Sequence, residues 1–364
     1  MGAATGWRLA RRGVQVVCFD RHSPPHTLGS SHGESRIIRT AYFEGAWYVP
    51  LIQEAFPLWR DLEQESRSRL LTLTGALMIG APSAEAVAGA QAATTAHALD
   101  ARVLGADELR RRYPAHVISD DDVAVLDVQA GFIRPEDAVA AMIDRLAALG
   151  GEIRRGVVVK EVSGRAGGVE VTTDETRESF DAVVIAAGPW MRELFPLPLS
   201  VERQVMAWFE IGAEGGDWFT PERFPVFIRE TDGLGVYGVP TLDGASLKIA
   251  RHHGGELTDP EIIRREVAGA ELEPLRTFAT TYLRGVNTRV TRSAVCMYTN
   301  TPDEDFVIDL HPDDARVVVI SACSGHGFKF APVIGDIAAD LVGEGRTARD
   351  ISRFSVARFA KSAS

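Results

Sequence analysis

The chain opens with Gly2–Arg12, GAATGWRLARR, followed by Gly13 and by Val14–Asp20, VQVVCFD. The first segment carries small residues on one face, which is typical of a closely packed helix. Gly13 ends this helix. The apolar run Val14–Asp20 predicts a buried parallel strand that ends in an acidic residue. A helix followed directly by such a strand indicates an α/β fold.

The order of these elements is that of the helix, the second strand and the ribose-binding carboxylate of a dinucleotide-binding βαβ unit. Asp20 is therefore a candidate to accept both ribose hydroxyls of an adenosine; the alternative is a turn acid. The first strand and its glycine-rich turn do not precede Gly2, so we expect about 15 residues of the usual unit to be missing. A start codon assigned too far downstream explains this, and a shortened protein with weakened cofactor binding is the alternative.

The composition indicates an ordinary globular protein. Its 364 residues suffice for two domains with full cores, and a net charge of −11 argues against nucleic acid as a partner. No apolar run is long enough to cross a membrane, and residues 1–19 lack the pattern of a signal peptide. The three cysteines, Cys18, Cys296 and Cys323, form neither a disulfide framework nor a zinc motif. We therefore expect a cytoplasmic protein.

The pieces of the predicted nucleotide-binding domain are scattered along the chain. A second buried strand is predicted at Phe180–Ala187, and a last strand and helix at Val317–Ser321 and Pro332–Val342. Between them, Leu199–Ile249 is rich in strand patterns. The stretches between the nucleotide-binding pieces must therefore form a second domain.

Two segments near the C-terminus give the most specific signal. Ala294–Thr299 reads AVCMYT and is followed by PDEDF at 302–306, and Ser324–Phe330 reads SGHGFKF. Together they resemble the flavin-binding region of the monomeric sarcosine oxidase and N-methyl-L-tryptophan oxidase family. These are FAD-dependent amine oxidases of the D-amino-acid-oxidase-like superfamily. The resemblance extends from residue 1 to about residue 354 and is least specific between residues 66 and 130.

The resemblance implies an α/β fold of two interleaved domains. A Rossmann-like FAD-binding domain would comprise residues 1–45, 131–195 and 290–364. An α+β substrate domain built on a large mixed sheet would comprise residues 46–130 and 196–289.

It also implies that FAD is bonded to the sulfur of Cys296. Attachment requires a thiolate, which nearby cations favour, and His32 and Arg36 would lie beside the flavin. They belong to SSHGESRIIR at 30–39, where the family reads SHHGDTRIIR. Ser31 replaces a histidine of that motif, which affects the expected details of attachment. A free cysteine is otherwise most often a small buried hydrophobe, as we expect for Cys18 and Cys323.

The remaining cofactor-binding residues come from the two ends of the chain. The resemblance places the backbone amides of the turn Gly325, His326 and Gly327 against the flavin, followed by Phe328. Glycine lets a backbone approach a planar ring, and the next helix directs its positive end at the turn. Gly2 and Asp20 complete the expected set.

Five residues are the candidates for catalysis. Arg39 and Lys329 would hold a substrate carboxylate, for which a guanidinium fork is well suited. Lys248 points off the opposite strand face from its apolar neighbours, and its ammonium would stabilise superoxide when dioxygen is reduced. Tyr237 and His252 would line the substrate cavity. Without the flanking matches, a surface basic pair, an exposed strand lysine and a hydrogen-bonded core histidine would be the plainer interpretations.

The resulting hypothesis is an FAD-dependent oxidase of N-methyl amino acids. A secondary amino acid and oxygen would give the demethylated amino acid, formaldehyde and hydrogen peroxide, in a monomer. N-methyltryptophan, or a cyclic imino acid such as pipecolate, is an alternative substrate, and the sequence does not rank them. Two competing hypotheses are a dehydrogenase that passes electrons to a carrier and a non-catalytic flavin-fold remnant.

Overall fold

The computed structural model describes residues 1–231 and 234–362. Its α-helices are α1 (Gly2–Arg11), α2 (Val49–Ser66), α3 (Glu85–His97), α4 (Ala106–Arg112), α5 (Pro135–Ala148), α6 (Met191–Leu194), α7 (Glu273–Tyr282) and α8 (Ala331–Glu344). Residues 363 and 364 of the predicted FAD domain, and 232 and 233 of the predicted substrate domain, lie outside the described residues.

The strands fall into two groups. The shorter ones are β1 (Val17–Asp20), β2 (Arg36–Ile38), β3 (Leu71–Leu73), β7 (Gly131–Ile133), β8 (Glu152–Arg155), β9 (Val159–Arg165), β10 (Gly168–Thr173), β11 (Arg177–Phe180), β12 (Val183–Ile185), β19 (Val307–His311) and β20 (Asp314–Ser321). The others form one large sheet: β4 (Ala76–Gly80), β5 (Ala101–Gly105), β6 (Val123–Asp127), β13 (Ser200–Ile211), β14 (Val226–Thr231), β15 (Leu234–Val239), β16 (Ser246–Arg251), β17 (Glu256–Thr258) and β18 (Val286–Asn300).

A helical layer built from the two ends of the chain surrounds one apolar core. Helix α1 packs against α5 and α8, and α2 packs against the same two helices. Trp7, Trp59 and Ile334 are fully buried in this core. The sequence had placed α2 in the substrate domain, but its apolar stripe Ile52, Trp59 and Leu62 faces this core. Residues 49–66 therefore pack with α5 and α8, which belong to the part predicted to bind FAD.

The strands of that part form small parallel units. β1 pairs with β8 in parallel, and β12 pairs in parallel with β20. The predicted strand Val14–Asp20 is shorter than expected, beginning at Val17, and it is half-buried. The reason is that, among the described residues, β1 has a partner on only one edge and β12 pairs only with β20. Residues of both strands line one common cavity.

The large sheet is mixed, as predicted. Its strand order is β17-β13-β16-β15-β14-β4-β6-β5, with β18 also paired to β13. β4 and β14 are parallel neighbours, and the other pairs are antiparallel. In this register Lys248 on β16 lies opposite Trp208 of β13, and Cys296 on β18 lies opposite Gln204 of β13. Lys248 and Cys296 are therefore on the two strands that pair with opposite edges of β13. The predicted domain boundary at residue 290 falls inside β18.

None of the helices in residues 1–231 and 234–362 combines the length and apolar character needed to cross a membrane.

The core of the helical layer gives a stability prediction. Leu62 has no exposed side-chain area, whereas Leu149 is 41% exposed. Leu62→Ala should lower the free energy of unfolding by about 2–5 kcal/mol, because a buried cavity is left behind. Chemical denaturation of the purified protein measures this. Leu149→Ala is the matched control and should change stability by less than about 1 kcal/mol; equal effects in the two variants would contradict this packing.

Candidate active site

A cavity of about 950 Å³ lies between the helical layer and the large sheet. It extends from Asp20, at the end of β1, past Ser30 and the turn at 325–327 to Tyr237 and Cys296 on the large sheet. The predicted cofactor residues Gly2, Asp20, Arg36, Cys296, Gly325, His326, Gly327 and Phe328 all line it, as do Arg39, Lys329, Tyr237 and His252. His32 and Lys248 are buried behind its wall. The fold thus brings the predicted residues together.

Several buried polar atoms along the cavity have no hydrogen-bond partner. They are Thr5 Oγ1, His22 Nε2, Ser30 Oγ, Gln204 Nε2 and Ser321 Oγ. Unpaired buried polar groups are costly and uncommon in proteins. Their spread from α1 and β1 to β13 fits a long polar ligand with acceptors and donors along its length. These residues therefore fit a long polar cofactor such as FAD.

At one end of the cavity, Asp20 is set beside flat rings. Its carboxylate accepts a hydrogen bond of 2.8 Å from the His22 amide. Burial would raise the pKa of Asp20, but hydrogen bonds from His26 and His22 outweigh it and lower the pKa. The His22 ring lies 5.4 Å from that of Trp190, which the Arg21 guanidinium covers at 4.9 Å. An ionised carboxylate beside aromatic surface suits an adenosine.

At the other end, Cys296 is buried and contacts a guanidinium. Arg36 Nη2 donates to Cys296 Sγ at 3.3 Å and to Ser30 O at 2.8 Å. The expectation that His32 is a second cation here is wrong. Burial, and next the charge of Arg36, lower the pKa of His32 to about 4, so the imidazole is neutral near pH 7. Among the residues predicted for this role, Arg36 is the cation at the sulfur.

The turn before α8 uses some of its own amides. The amides of His326 and Gly327 both donate to Cys323 O at 2.9 Å. The sequence had assigned the amides of residues 325–327 to the flavin, so two of these are already engaged. The next amides, of Phe328 and Lys329, begin the helical turn that leads into α8, where N–H groups lack helical partners. Gly327 is required, since a Cβ there would lie 2.0 Å from Ala322 O.

The side chain of His326 belongs to the protein core. Its Nδ1 is 2.6 Å from the Tyr42 hydroxyl, and its Nε2 is 3.3 Å from Glu304 O. Burial lowers its pKa to about 3. A neutral ring that donates from Nε2 and accepts at Nδ1 satisfies both contacts. His326 therefore fixes the turn, and its backbone faces the cavity.

Two buried cations share one side of the cavity. Arg39 Cζ and Lys329 Nζ lie 4.3 and 5.2 Å from the centroid of the Tyr42 ring. Lys329 Nζ donates to His326 O at 2.8 Å. Burial, and next the charge of Arg39, lower the pKa of Lys329 to about 7. The sequence predicted this pair as the site that binds an anion, and both residues line the cavity.

Glu44 occupies this anion site and was not identified from the sequence. Its carboxylate forms an ion pair with the Arg39 guanidinium. Burial would raise the pKa of Glu44, but the charge of Arg39, together with that of Lys329, outweighs it and holds the pKa far below its usual value. The one signal in the sequence is an acidic residue five positions after Arg39. Glu44 shows that a carboxylate fits between these cations.

His252 and Tyr237 complete the wall opposite these cations. His252 Nδ1 is 3.3 Å from the Tyr298 hydroxyl. Burial, and next the charge of His253, lower the pKa of His252 to about 3. Of the two interpretations of this residue, a neutral hydrogen-bonded histidine agrees with the structure and a proton carrier near pH 7 does not. Burial raises the pKa of Tyr237 to about 12.

Lys248 is a fully engaged buried ammonium rather than an exposed strand lysine. Its Nζ donates to Gly33 O at 2.7 Å, to Ser35 O at 3.0 Å and to Ser35 Oγ at 3.2 Å. It lies 6.0 Å from the centroid of the Tyr237 ring, which lines the cavity. Burial, and next the charge of Arg36, lower its pKa well below the usual value. No group of metal-binding side chains occurs among the described residues.

The family model of FAD-dependent oxidoreductases matches residues 1–341. The chain belongs to the FAD-dependent oxidoreductase family. The enzyme is 38% identical to a monomeric sarcosine oxidase of Streptomyces avermitilis, over 99% of this chain and 95% of the relative. It is 35% identical to an N-methyl-L-tryptophan oxidase of Yersinia pestis, over 99% and 96% of the two chains. Both names are those predicted from the sequence motifs.

A solved structure gives the same fold. The Tyr258Phe mutant of NikD, described as an unusual amino acid oxidase essential for nikkomycin biosynthesis, superimposes with a TM-score of 0.86 at 26% identity. The match covers 97% of this chain and 93% of that chain. The enzyme therefore has the fold of the amino acid oxidising flavoenzymes, as the resemblance implied.

The pKa of Lys329 gives a prediction for anion binding. A cation with a pKa of about 7 is charged below that pH and neutral above it. The dissociation constant of a simple carboxylate such as propionate should therefore rise roughly tenfold from about pH 6 to about pH 8. Titration calorimetry measures this.

Because the pKa of His253 is also raised from its usual value, against the effect of burial and chiefly by its hydrogen bond to Glu202, a variant is needed to assign the effect to Lys329. Lys329→Met should bind the anion weakly and with no such pH dependence. Retention of the pH dependence in Lys329→Met would refute the assignment.

Proposed function

We propose that the enzyme is an FAD-dependent oxidase of N-methyl amino acids, most simply of N-methylglycine. The observation that carries this proposal is the buried cation pair Arg39 and Lys329 on the wall of the cavity that Cys296 also lines. An α-amino acid has one carboxylate next to its amine. A site that fixes the carboxylate therefore also fixes the position of the amine and its N-methyl group.

The first step is an exchange of carboxylates. Glu44 pairs with Arg39 in the absence of substrate. A substrate carboxylate would take its place, held by the guanidinium fork and by the ammonium of Lys329. Tyr237, His252 and Phe43 line the cavity beside this position and would enclose the rest of the substrate. Exclusion of water there would strengthen the contact between the charges.

When bound, FAD would supply the oxidising chemistry, that is, a place for the hydride equivalents of the C–H bond next to the amine nitrogen before they reach dioxygen. The overall reaction consumes the N-methyl amino acid, dioxygen and water, and gives the primary amino acid, formaldehyde and hydrogen peroxide. His32, His252 and His326 are weak bases, because their pKa values of about 3 to 4 mean that none of them would hold a proton taken from the amine near pH 7. The amine would therefore have to react in its uncharged form, without a histidine acting as base.

Oxygen is proposed as the acceptor because of Lys248. Dioxygen gains one electron first and becomes superoxide, an anion that a fixed positive charge stabilises. The three hydrogen bonds of Lys248 hold its charge in one place. It would act on superoxide through its charge, since its N–H groups are already engaged.

The attachment of FAD is proposed to be covalent, through Cys296. Arg36 donates to the sulfur at 3.3 Å, so a positive charge lies at the atom that would form the bond. The buried position of this sulfur on the cavity wall fits a bond to the ring. We further propose a monomer, as the name of the Streptomyces avermitilis relative states for that protein, and a cytoplasmic location, which accords with three unpaired cysteines.

A panel of substrates tests the function. N-methylglycine, N-methyl-L-tryptophan, pipecolate and proline are compared for hydrogen peroxide and for formaldehyde. Peroxide together with formaldehyde is expected from an N-methyl amino acid. Peroxide without formaldehyde, from a cyclic substrate only, would favour a cyclic imino acid as the substrate. Reduction of FAD by substrate without peroxide in air would favour a dehydrogenase, and absence of any bound flavin would favour a non-catalytic remnant.

The covalent bond gives a separate prediction. After acid precipitation, the yellow colour should stay with the polypeptide of the natural sequence and be released from Cys296→Ser, because an alkoxide is far harder to form than a thiolate at neutral pH. Absorbance of the pellet and of the supernatant measures this. Cys323→Ser is the matched control, since Cys323 also lines the cavity, and should retain the colour. Colour retained in Cys296→Ser would contradict the attachment.

A further inference from the structure

The chain is poor in lysine, and two of its lysines are buried at the cavity. Among the 39 Lys and Arg residues, four are lysines: Lys160, Lys248, Lys329 and Lys361. Lys248 is 3% exposed. Burial disfavours its charged form, and so does the neighbouring guanidinium of Arg36. If Lys248 is to act through its positive charge, as the proposed function requires, the protein must oppose both effects.

One peptide group links this ammonium to a carboxylate. Lys248 Nζ donates to Gly33 O at 2.7 Å. The N–H of the same peptide group, that of Glu34, donates to Glu136 Oε1 and Oε2 at 3.1 and 3.2 Å. When a carboxylate accepts a hydrogen bond from the N–H of a peptide group, the carbonyl oxygen of that peptide group becomes more negative, since linked hydrogen bonds polarise one another. The peptide group therefore joins opposite charges end to end.

Glu136 is held in its ionised form for this contact. It lies in the first turn of α5, where the helix dipole favours a negative charge. Its Oε1 also accepts from the Gly33 amide at 2.6 Å. Burial would raise the pKa of Glu136, but hydrogen bonds from the backbone amides of Glu34, Glu136 and Gly33 outweigh it and lower the pKa.

The loop between the two charges is fixed from its other side. Glu34 has a left-handed backbone, with φ of 67°. Its carboxylate accepts from Trp208 Nε1 at 3.0 Å and pairs with Arg292 at 2.6 Å. The peptide group between residues 33 and 34 is therefore held in one orientation, with its carbonyl toward Lys248 and its N–H toward Glu136.

We propose that Glu136 is a positioning residue for the oxygen reaction, acting through the peptide group between Gly33 and Glu34 to keep the buried side chain of Lys248 protonated. This inference rests on the proposed role of Lys248. Glu136 itself contacts neither the cavity wall nor Lys248 in the structure. Glu136 acts on Lys248 in two ways: through the peptide group between Gly33 and Glu34, and through the attraction between its negative charge and the ammonium.

The other groups that face Lys248 are accounted for as follows. Arg36, on β2, opposes the protonated form, while Glu34, in the loop, and Cys296, on β18, favour it. His32 also lies close to the ammonium but is neutral near pH 7. The rings of Trp208 and Tyr237 lie 5.6 and 6.0 Å from Nζ. Of the carboxylates in this set, Glu136 bonds directly to the peptide group whose oxygen holds Lys248.

The scarcity of lysine makes the test direct. Protein labelled with carbon-13 in lysine gives four sets of signals, and Lys248→Met identifies that of Lys248. In the FAD-loaded enzyme, Glu136→Gln should lower the pH at which Lys248 loses its proton by about one to two pH units, because a negative charge is removed. The amide of glutamine still accepts one hydrogen bond, so the loop is retained. Lys329 should titrate as before and serves as the internal reference.

Two further variants complete the design. Asp137→Asn is the matched control, since Asp137 is the next residue of the same helix and pairs with Arg134 at the surface; it should leave Lys248 unchanged. Glu136→Asp, which keeps the charge, should leave Lys248 titrating close to where it does in the natural enzyme. The rate at which oxygen reoxidises the flavin, measured by stopped flow, should fall at a lower pH in Glu136→Gln than in the natural enzyme. Reduction of the flavin by substrate should change little.

An unchanged titration of Lys248 in Glu136→Gln would overturn the inference. A shift of both buried lysines together would also overturn it, because it would indicate a general disturbance of the fold. The failure of the proposed function is distinguishable, since it would appear as a shifted Lys248 in an enzyme that does not react with oxygen.

Discussion

The placement of four basic side chains around one cavity, with little water to solvate them, is the constraint on which the site depends. Arg36, Arg39, Lys248 and Lys329 all lie at or behind its wall. A buried charge is tolerated only where oxygen atoms or opposite charges replace the water that it has lost. The loops of residues 30–44 and 323–330 supply many of these oxygen atoms as backbone carbonyls. The backbone of these loops is therefore part of the electrostatics of the site as well as its support.

The two buried carboxylates near these cations have different roles in this arrangement. Glu44 lies on the cavity wall and pairs directly with Arg39, so an anionic ligand can replace it. Glu136 lies behind the wall and is bonded to the amides of the loop, so no ligand can displace it without unfolding that loop. One carboxylate thus lies where the substrate is proposed to bind, while the other is proposed to support Lys248.

The sequence predicted the parts of the site that depend on short continuous motifs. Lys248 and Cys296 lie on the two strands that flank β13 because alternating patterns specify those strands, and the register follows from them. Asp20 ends its strand as predicted, although the strand itself is shorter and half-buried. The neutral state of His32 could not be predicted, because it arises from burial beside Arg36, a property of the folded chain.

The contacts that the sequence missed join residues that are far apart along the chain. Glu136 meets Gly33 across about a hundred positions, and Lys248 meets the same loop across about two hundred. Neither partner has a distinctive local pattern: Glu136 reads as an ordinary helix-start acid, and Glu34 as a substitution within a motif. The proposed role of Glu136 follows only from the folded structure, in which the peptide group between Gly33 and Glu34 accepts from Lys248 at its carbonyl and donates to Glu136 at its N–H. The motifs thus locate the reactive side chains, while long-range packing sets the charge state in which those side chains are held.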